Sequence, residues 1–237
     1  MRIGLAAYRS ENGNIGFNLS QIEKALAATR GQVDLLVFGE AFLQGFDSLT
    51  WDPEKDLSTA VTADSAEMNR LRELSKEYGT AILTGYIERE GDRIYSSCAV
   101  ILDGAMICNY RRVSPGWKEI SLADQHYREG KSAPGFDLMG KHFSLALCGD
   151  LWDFPELFRT EGTLIWPVYV NYSIEDWDEW ALSEYASHTS PLCREALVVN
   201  PIDRDPVNHG GAFLMSGGKI KCRLPFDTEG VLIAEPD

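Results

Sequence analysis

Cys148 closes the apolar run Phe143-Ser144-Leu145-Ala146-Leu147 and opens Cys148-Gly149-Asp150. A thiol where a buried strand meets a turn keeps a rigid backbone while its sulfur faces a pocket. Glu40 ends a matching run, Leu35-Leu36-Val37-Phe38-Gly39. An acid and a thiol at two strand ends are the components of a base-activated nucleophile. To attack an amide or nitrile carbon, the thiol needs a base for its proton, donors for the developing oxyanion and a proton source for the leaving amine. Glu40 is the candidate base, Cys148 the candidate nucleophile and the Gly149 N–H a candidate oxyanion donor. Tyr110-Arg111-Arg112-Val113 supplies cations as it leaves a strand and enters a long loop. Strand alternation sends one arginine inward and its neighbour outward, so at most one belongs to a site, and Arg112 is the candidate. Glu119, further along that loop, is a candidate for orienting substrate or base.

These groups need elements to hold them. Met1 to Tyr8 and Val33 to Phe38 read as strands, with a helix between them that starts at an Asn18 cap and stops at Gly31. Ser65 to Tyr78 reads as a second helix, with Met68, Leu71 and Leu74 on its inner face and Gly79 at its end. Ala81 to Ile87, Ile94 to Leu102 and Ala105 to Tyr110 read as strands joined at Gly91-Asp92 and Asp103-Gly104. Ser114 to Pro134 is a long loop of the kind that usually serves function. His142 to Leu147, Leu164 to Val170, Ala196 to Val199, Ala212 to Met215 and Val231 to Ala234 are expected strands. Pro155 to Thr160 and Trp177 to Ser187 are expected helices. Helices alternating with strands early, and hairpins in the middle, argue an α/β layered sandwich with mixed sheets, in a single domain over residues 1–237.

Composition narrows the partners. Of 237 residues, 44% are hydrophobic and 24% charged, and the formal net charge is −14. That charge is spread along the chain and repels nucleic-acid phosphate and anionic membrane surfaces. Five cysteines in no framework spacing predict free thiols in a reducing, cytoplasmic compartment. The apolar start is short and lacks a cleavage site, so a strand is expected there rather than a signal peptide. No apolar run is long enough to span a bilayer. The four histidines form no paired ligand spacing, so no metal is expected. No cofactor motif stands out. Gly217-Gly218-Lys219 lacks the earlier glycine of a phosphate loop and reads as a turn.

The ordered set Phe38-Gly39-Glu40-Ala41-Phe42, Tyr110-Arg111-Arg112 and Leu147-Cys148-Gly149-Asp150 resembles the nitrilase, or carbon–nitrogen hydrolase, superfamily. Phe154-Pro155-Glu156, Val198-Val199-Asn200 and Gly210-Gly211 extend the likeness over nearly the whole chain. The resemblance implies a four-layer αββα sandwich, a homodimer or larger homo-oligomer, and cofactor-free hydrolysis of small amides, ureides or nitriles by a Glu–Lys–Cys triad with a second glutamate. Glu40, Cys148 and Glu119 match the two glutamates and the nucleophile. Arg112 stands where the family has its lysine, with Lys118 nearby as a substitute. Trp152 stands where the family has an arginine and is a candidate for substrate contact together with Gly149. Phe154-Pro155-Glu156 falls one residue late.

Blander roles compete with each assignment. A cysteine ending an apolar strand is commonly inert core. Arg111 and Arg112 alone would be charges guarding a sheet edge. Trp177 and Trp180, at helical spacing, also suit a core or an interface. Two further functions remain open: a relative that keeps the fold and binds without turnover because of Arg112, and a thiol redox sensor, for which no resolving partner of Cys148 is evident.

Overall fold

The computed structural model describes residues 1–236. In its first half β1 (Ile3–Ala7), α1 (Ile15–Ala28), β2 (Leu35–Val37), α2 (Pro53–Thr59) and α3 (Ala66–Tyr78) lead to the meander β3 (Ala81–Glu90), β4 (Arg93–Leu102) and β5 (Ala105–Arg111). The second half holds β6 (Phe136–Leu138), β7 (Lys141–Leu145), the short α4 (Asp150–Asp153) and β8 (Thr163–Pro167). A continuous helix then runs through α5 (Ile174–Asp176), a π-helical turn (Trp177–Ala181) and α6 (Leu182–Thr189). The chain ends in β9 (Glu195–Arg204), β10 (Val207–Ser216), β11 (Lys219–Leu224) and β12 (Gly230–Ala234).

Two six-stranded sheets result, ordered β12-β1-β2-β3-β4-β5 and β11-β10-β9-β8-β7-β6. Each is mixed: β1-β2-β3 and β7-β8-β9 pair in parallel, and their flanks are antiparallel. β1 packs on β9 and β10, so the sheets lie face to face. Strand alternation explains the layers. Ile3, Leu5, Leu35, Val37 and Leu83 point between the sheets. Ala6, Leu36 and Ile82 point the other way, onto Ile22 and Leu26 of α1 and Met68, Leu71 and Leu74 of α3. The continuous helix closes the far side, placing Trp177, Tyr185 and Ala186 in the core with Leu164 and Trp166. This is the expected four-layer αββα sandwich.

Local chemistry sets most boundaries. The Ser65 hydroxyl accepts from Met68 N and Gly79 takes a left-handed cap (φ 62°), as expected for α3. Asp103-Gly104 and Gly217-Gly218 both have positive φ at their two residues and make tight hairpin turns. Other boundaries differ from the expectation. The cap of α1 is Asn14, whose side chain accepts from Phe17 N at 3.1 Å. Asn18 lies buried inside the helix, bridging the Glu11 backbone and the Leu43 carbonyl. The segment at Pro155 is a 3₁₀ turn, Pro155–Phe158, preceded by α4. The strand expected to reach Val170 ends at Pro167. Strands β6 and β11 were not expected: β6 has three residues, and Lys219-Ile220-Lys221-Cys222-Arg223 carries the charges of an edge strand. The Ser114 to Pro134 stretch holds no helix or strand, but buried Trp117 and Tyr127 anchor it against Trp51. No helix among the described residues is long and apolar enough to cross a membrane.

Candidate active site

The chain beyond β2 reaches its site by an unusually close crossing. A Cβ on Gly85 would lie 2.7 Å from Glu40 Cα, and one on Gly39 would lie 3.1 Å from the Val168 carbonyl, so both positions need glycine. Ala41 turns the chain with φ 48°. Glu40 N donates to the Val168 carbonyl at 3.3 Å, which ties the acid to the segment after β8. The Glu40 side chain is fully buried. Its Oε1 accepts from Ser96 Oγ at 2.9 Å and Arg112 Nη1 at 2.8 Å. Its Oε2 has no hydrogen-bond partner. A buried carboxylate oxygen left unpaired is costly, and such atoms in native folds call for an explanation.

The arginine pair divides as alternation requires. Arg111 points outward, forked onto Glu88 and lying over the Tyr95 ring at 3.9 Å. Arg112 points inward and is 2% exposed. Its Nε donates to Ser114 Oγ at 2.7 Å, and Nη1 holds Glu40. Nη2 lies over Gly149, where any side-chain carbon would collide with it. Burial disfavours the charge of Arg112, but Glu40, Cys148 and Asp150 together outweigh it and hold the guanidinium above its ordinary pKa.

Cys148 sits in the left-handed region, φ 40°, a strained setting for a residue with a side chain. Three bonds impose it. Cys148 N donates to the Pro167 carbonyl at 2.9 Å, its carbonyl accepts from Trp166 Nε1 at 2.8 Å, and Sγ donates to the Tyr169 carbonyl at 3.7 Å. Asp150 ties the same turn to the arginine segment: its carboxylate accepts from Leu147 N, Val113 N, Ser114 N and, at 2.6 Å, the Tyr110 hydroxyl. Burial first, and then the Glu40 charge, push the Cys148 thiol up to about 12, while Arg112 pulls the other way. The sulfur therefore rests as a neutral thiol beside a carboxylate with a free oxygen and a fixed cation. The Gly149 N–H has no partner among the described residues.

The structure thus gathers Glu40, Arg112, Cys148 and Gly149. It does not bring Glu119 to them. That side chain is exposed and accepts from Ser121 Oγ at 2.7 Å. Lys118 pairs with Glu129 instead of substituting for Arg112. Trp152 is 37% exposed, stacked on His188 at 4.1 Å and edge-on to Tyr185 at 5.2 Å, within an aromatic group beside the nucleophile turn. Sequence reasoning missed Ser96, Ser114 and Trp166, which hold the three principals, and gave Asp150 no role. Asp150, two residues after the cysteine, was the one with a readable signal. Three surface recesses of about 360, 350 and 280 Å³ are lined by other residues, and convergent polar groups locate this site. Among the described residues no group of three or more His, Cys, Asp or Glu could hold a metal ion.

Comparison with known proteins bears on the family and the fold. A glutamine-dependent NAD(+) synthetase of Acinetobacter baylyi is 24% identical over 154 residues, covering 64% of this chain and 27% of that protein. An arylacetone-specific nitrilase of Alcaligenes faecalis is 25% identical over 177 residues, covering 70% of this chain and 48% of that protein. The chain thus spans between a quarter and a half of the length of these curated relatives. The solved structure of an amidase from Nesterenkonia sp. superposes with a TM-score of 0.79 at 22% identity, covering 100% of this chain and 90% of that one, which shows the shared fold. The carbon-nitrogen hydrolase family model matches residues 2–237. The chain belongs to the carbon–nitrogen hydrolase family.

Proposed function

We propose that the protein hydrolyses a small amide-type substrate (an amide, ureide or nitrile) through a thioester on Cys148. One observation carries this reading: a buried carboxylate keeps one oxygen unpaired beside a half-buried thiol, while its other oxygen is locked by Arg112. For an amide, Glu40 Oε2 takes the thiol proton as sulfur bonds to the carbonyl carbon. The Gly149 N–H and Arg112 Nη2 receive the oxyanion. The C–N bond breaks, Glu40 returns the proton and ammonia leaves. Water then gives a proton to Glu40 and its oxygen to the thioester carbon. The C–S bond breaks, the carboxylic acid departs and sulfur regains its proton. Arg112 keeps its charge throughout, so it stabilises the oxyanion and moves no proton.

A binding protein without turnover is the second reading. It draws on Arg112 at the family's lysine position and on the exposed Glu119. An ammonia-release screen over small amides, ureides and nitriles separates the two, with Cys148→Ala as control. Turnover lost in Cys148→Ala supports the hydrolase. Full turnover in that variant ends the thioester mechanism. Arg112→Lys lowers the rate if the arginine is recruited to the reaction, and raises it from nothing if the arginine is the lesion.

A further inference from the structure

One dipeptide, Trp166-Pro167, grips the nucleophile at both ends. The Pro167 carbonyl accepts from Cys148 N at 2.9 Å, and the indole Nε1 of Trp166 donates to the Cys148 carbonyl at 2.8 Å. The first bond carries the parallel pairing of β7 with β8 one step past the bond from Ala146 N to the Ile165 carbonyl (3.1 Å). The second leaves that ladder, because Cys148 takes φ 40° and its carbonyl turns to a side chain. An indole N–H can only donate, so the bond has one polarity. The ring has no room to swing away. Trp166 is fully buried, stacked on Tyr185 at 4.8 Å and packed against Trp152 at 5.9 Å.

The Cys148 carbonyl and the Gly149 N–H belong to one peptide unit. That unit is trans, so the two groups point in opposite directions. Holding the carbonyl on Trp166 therefore aims the N–H away from the indole. The neighbouring amides of Leu147, Cys148 and Asp150 all have protein acceptors. The Gly149 N–H has none among the described residues. A side-chain carbon on Gly149 would meet Arg112 Nη2 and Ser114 Oγ, so its backbone adjoins the buried guanidinium. Turning this one plane over would present a carbonyl oxygen where an oxyanion needs a donor, and the bond to Trp166 opposes that turn. A donor on the carbonyl also polarises the amide and strengthens its N–H where the dielectric is low.

We infer that Trp166 is a positioning residue for the oxyanion donor: its indole N–H sets the Cys148–Gly149 peptide plane so that the Gly149 N–H faces the substrate's carbonyl oxygen. The inference rests on the proposed hydrolase reading, which gives the oxyanion to Gly149. The test compares two reactions of Cys148 that differ in their need for that donor. With p-nitrophenyl acetate, sulfur bonds to the carbonyl carbon, the thiol proton passes to Glu40 and the C–O bond to nitrophenolate breaks. With iodoacetamide, sulfur displaces iodide, the proton takes the same route and no oxyanion forms. Both rates are read by mass on the Cys148 peptide, with Cys148→Ala giving the background. The variants are Trp166→Phe and site-specific replacement of Trp166 by β-(3-benzothienyl)alanine, which keeps the ring shape and has sulfur in place of the N–H. In both, acetylation is expected to fall at least about tenfold, up to the roughly 10²–10³ that losing an oxyanion donor costs, with alkylation within about threefold of wild type. A merely structural role would move the two reactions together. Equal changes in both, or unchanged acetylation in the benzothienyl variant, overturn the inference, as does a wild-type Cys148 that is alkylated but never acetylated. Ammonia release from small amides judges the hydrolase reading separately. Acetylation that depends on the indole N–H without amide turnover sustains the positioning role and counts against the hydrolase.

Discussion

Glu40→Gln should make Cys148 easier to alkylate while stopping hydrolysis. With the thiol at about 12, burial and the Glu40 charge keep the sulfur protonated. At pH 8 that leaves a thiolate fraction of about 10⁻⁴, against about a quarter for an ordinary cysteine of pKa ~8.5. A thiolate of higher pKa is also more nucleophilic, with a Brønsted slope of about 0.4–0.5, which recovers roughly 40-fold. The wild-type sulfur should therefore react with iodoacetamide roughly 50-fold more slowly than a free thiol at pH 8, with the rate rising about tenfold per pH unit up to pH 10. A charge pair at ~4 Å in an effective dielectric of ~20 exchanges about 4 kcal/mol, an upper bound near three pH units. For a half-buried sulfur, neutralising the carboxylate is taken to lower the thiol by about one to two units. After the Brønsted offset, Glu40→Gln should alkylate about three- to tenfold faster. Amide turnover should fall by about 10²–10⁴, the ordinary worth of a general base. The assay is stopped-time alkylation read by intact mass between pH 7 and pH 10, beside ammonia release. Slower alkylation in the glutamine variant, or a wild-type rate that levels off below about pH 9, would refute the view that Glu40 holds the proton on sulfur until substrate arrives.

Other perturbations test the framework. Asp150→Asn turns an NH₂ toward backbone donors that now meet a carboxylate, and should cost about 1–3 kcal/mol per orphaned donor, seen as a lower Tm together with reduced turnover. Gly149→Ala drives a methyl into Arg112 Nη2 and should cut turnover at least about tenfold, with unfolding free energy falling by no more than an overpacked core position costs, about 1–3 kcal/mol. Glu119→Ala should leave stability within about 0.5 kcal/mol and turnover within about twofold of wild type, because an exposed side chain bonded only to its own loop has little to lose.

Much of the architecture follows from local pattern. The Leu35 to Val37 and Ile3 to Ala7 runs are apolar without alternation because helices cover one face and a second sheet the other. Ser65 and Gly79 bound α3 by capping, a contact within a few residues. Arg111 and Arg112 divide outward and inward because adjacent strand residues must. What failed to read was short or polar: the three residues of β6, the charged edge β11, and the choice of Asn14 over Asn18, which turned on a buried bond to the Leu43 carbonyl far along the chain.

By itself the sequence determined which residue types could do chemistry, and their order: an acid after one parallel strand, a thiol after another, and an arginine pair after a meander. Tertiary structure alone decided who meets whom. The site is closed by Glu40 on Arg112, a contact between the ends of two strands of one sheet, by Ser114 beside the same guanidinium, and by Asp150, which bridges the arginine segment to the turn that follows a strand of the other sheet. Glu119, the weaker candidate along the chain, sits on a loop that Trp117 and Tyr127 anchor in a way that leaves it in water. Periodicity reports which face of an element is buried. It carries no record of how far apart two elements will stand once their faces are packed, and catalysis depends on that distance.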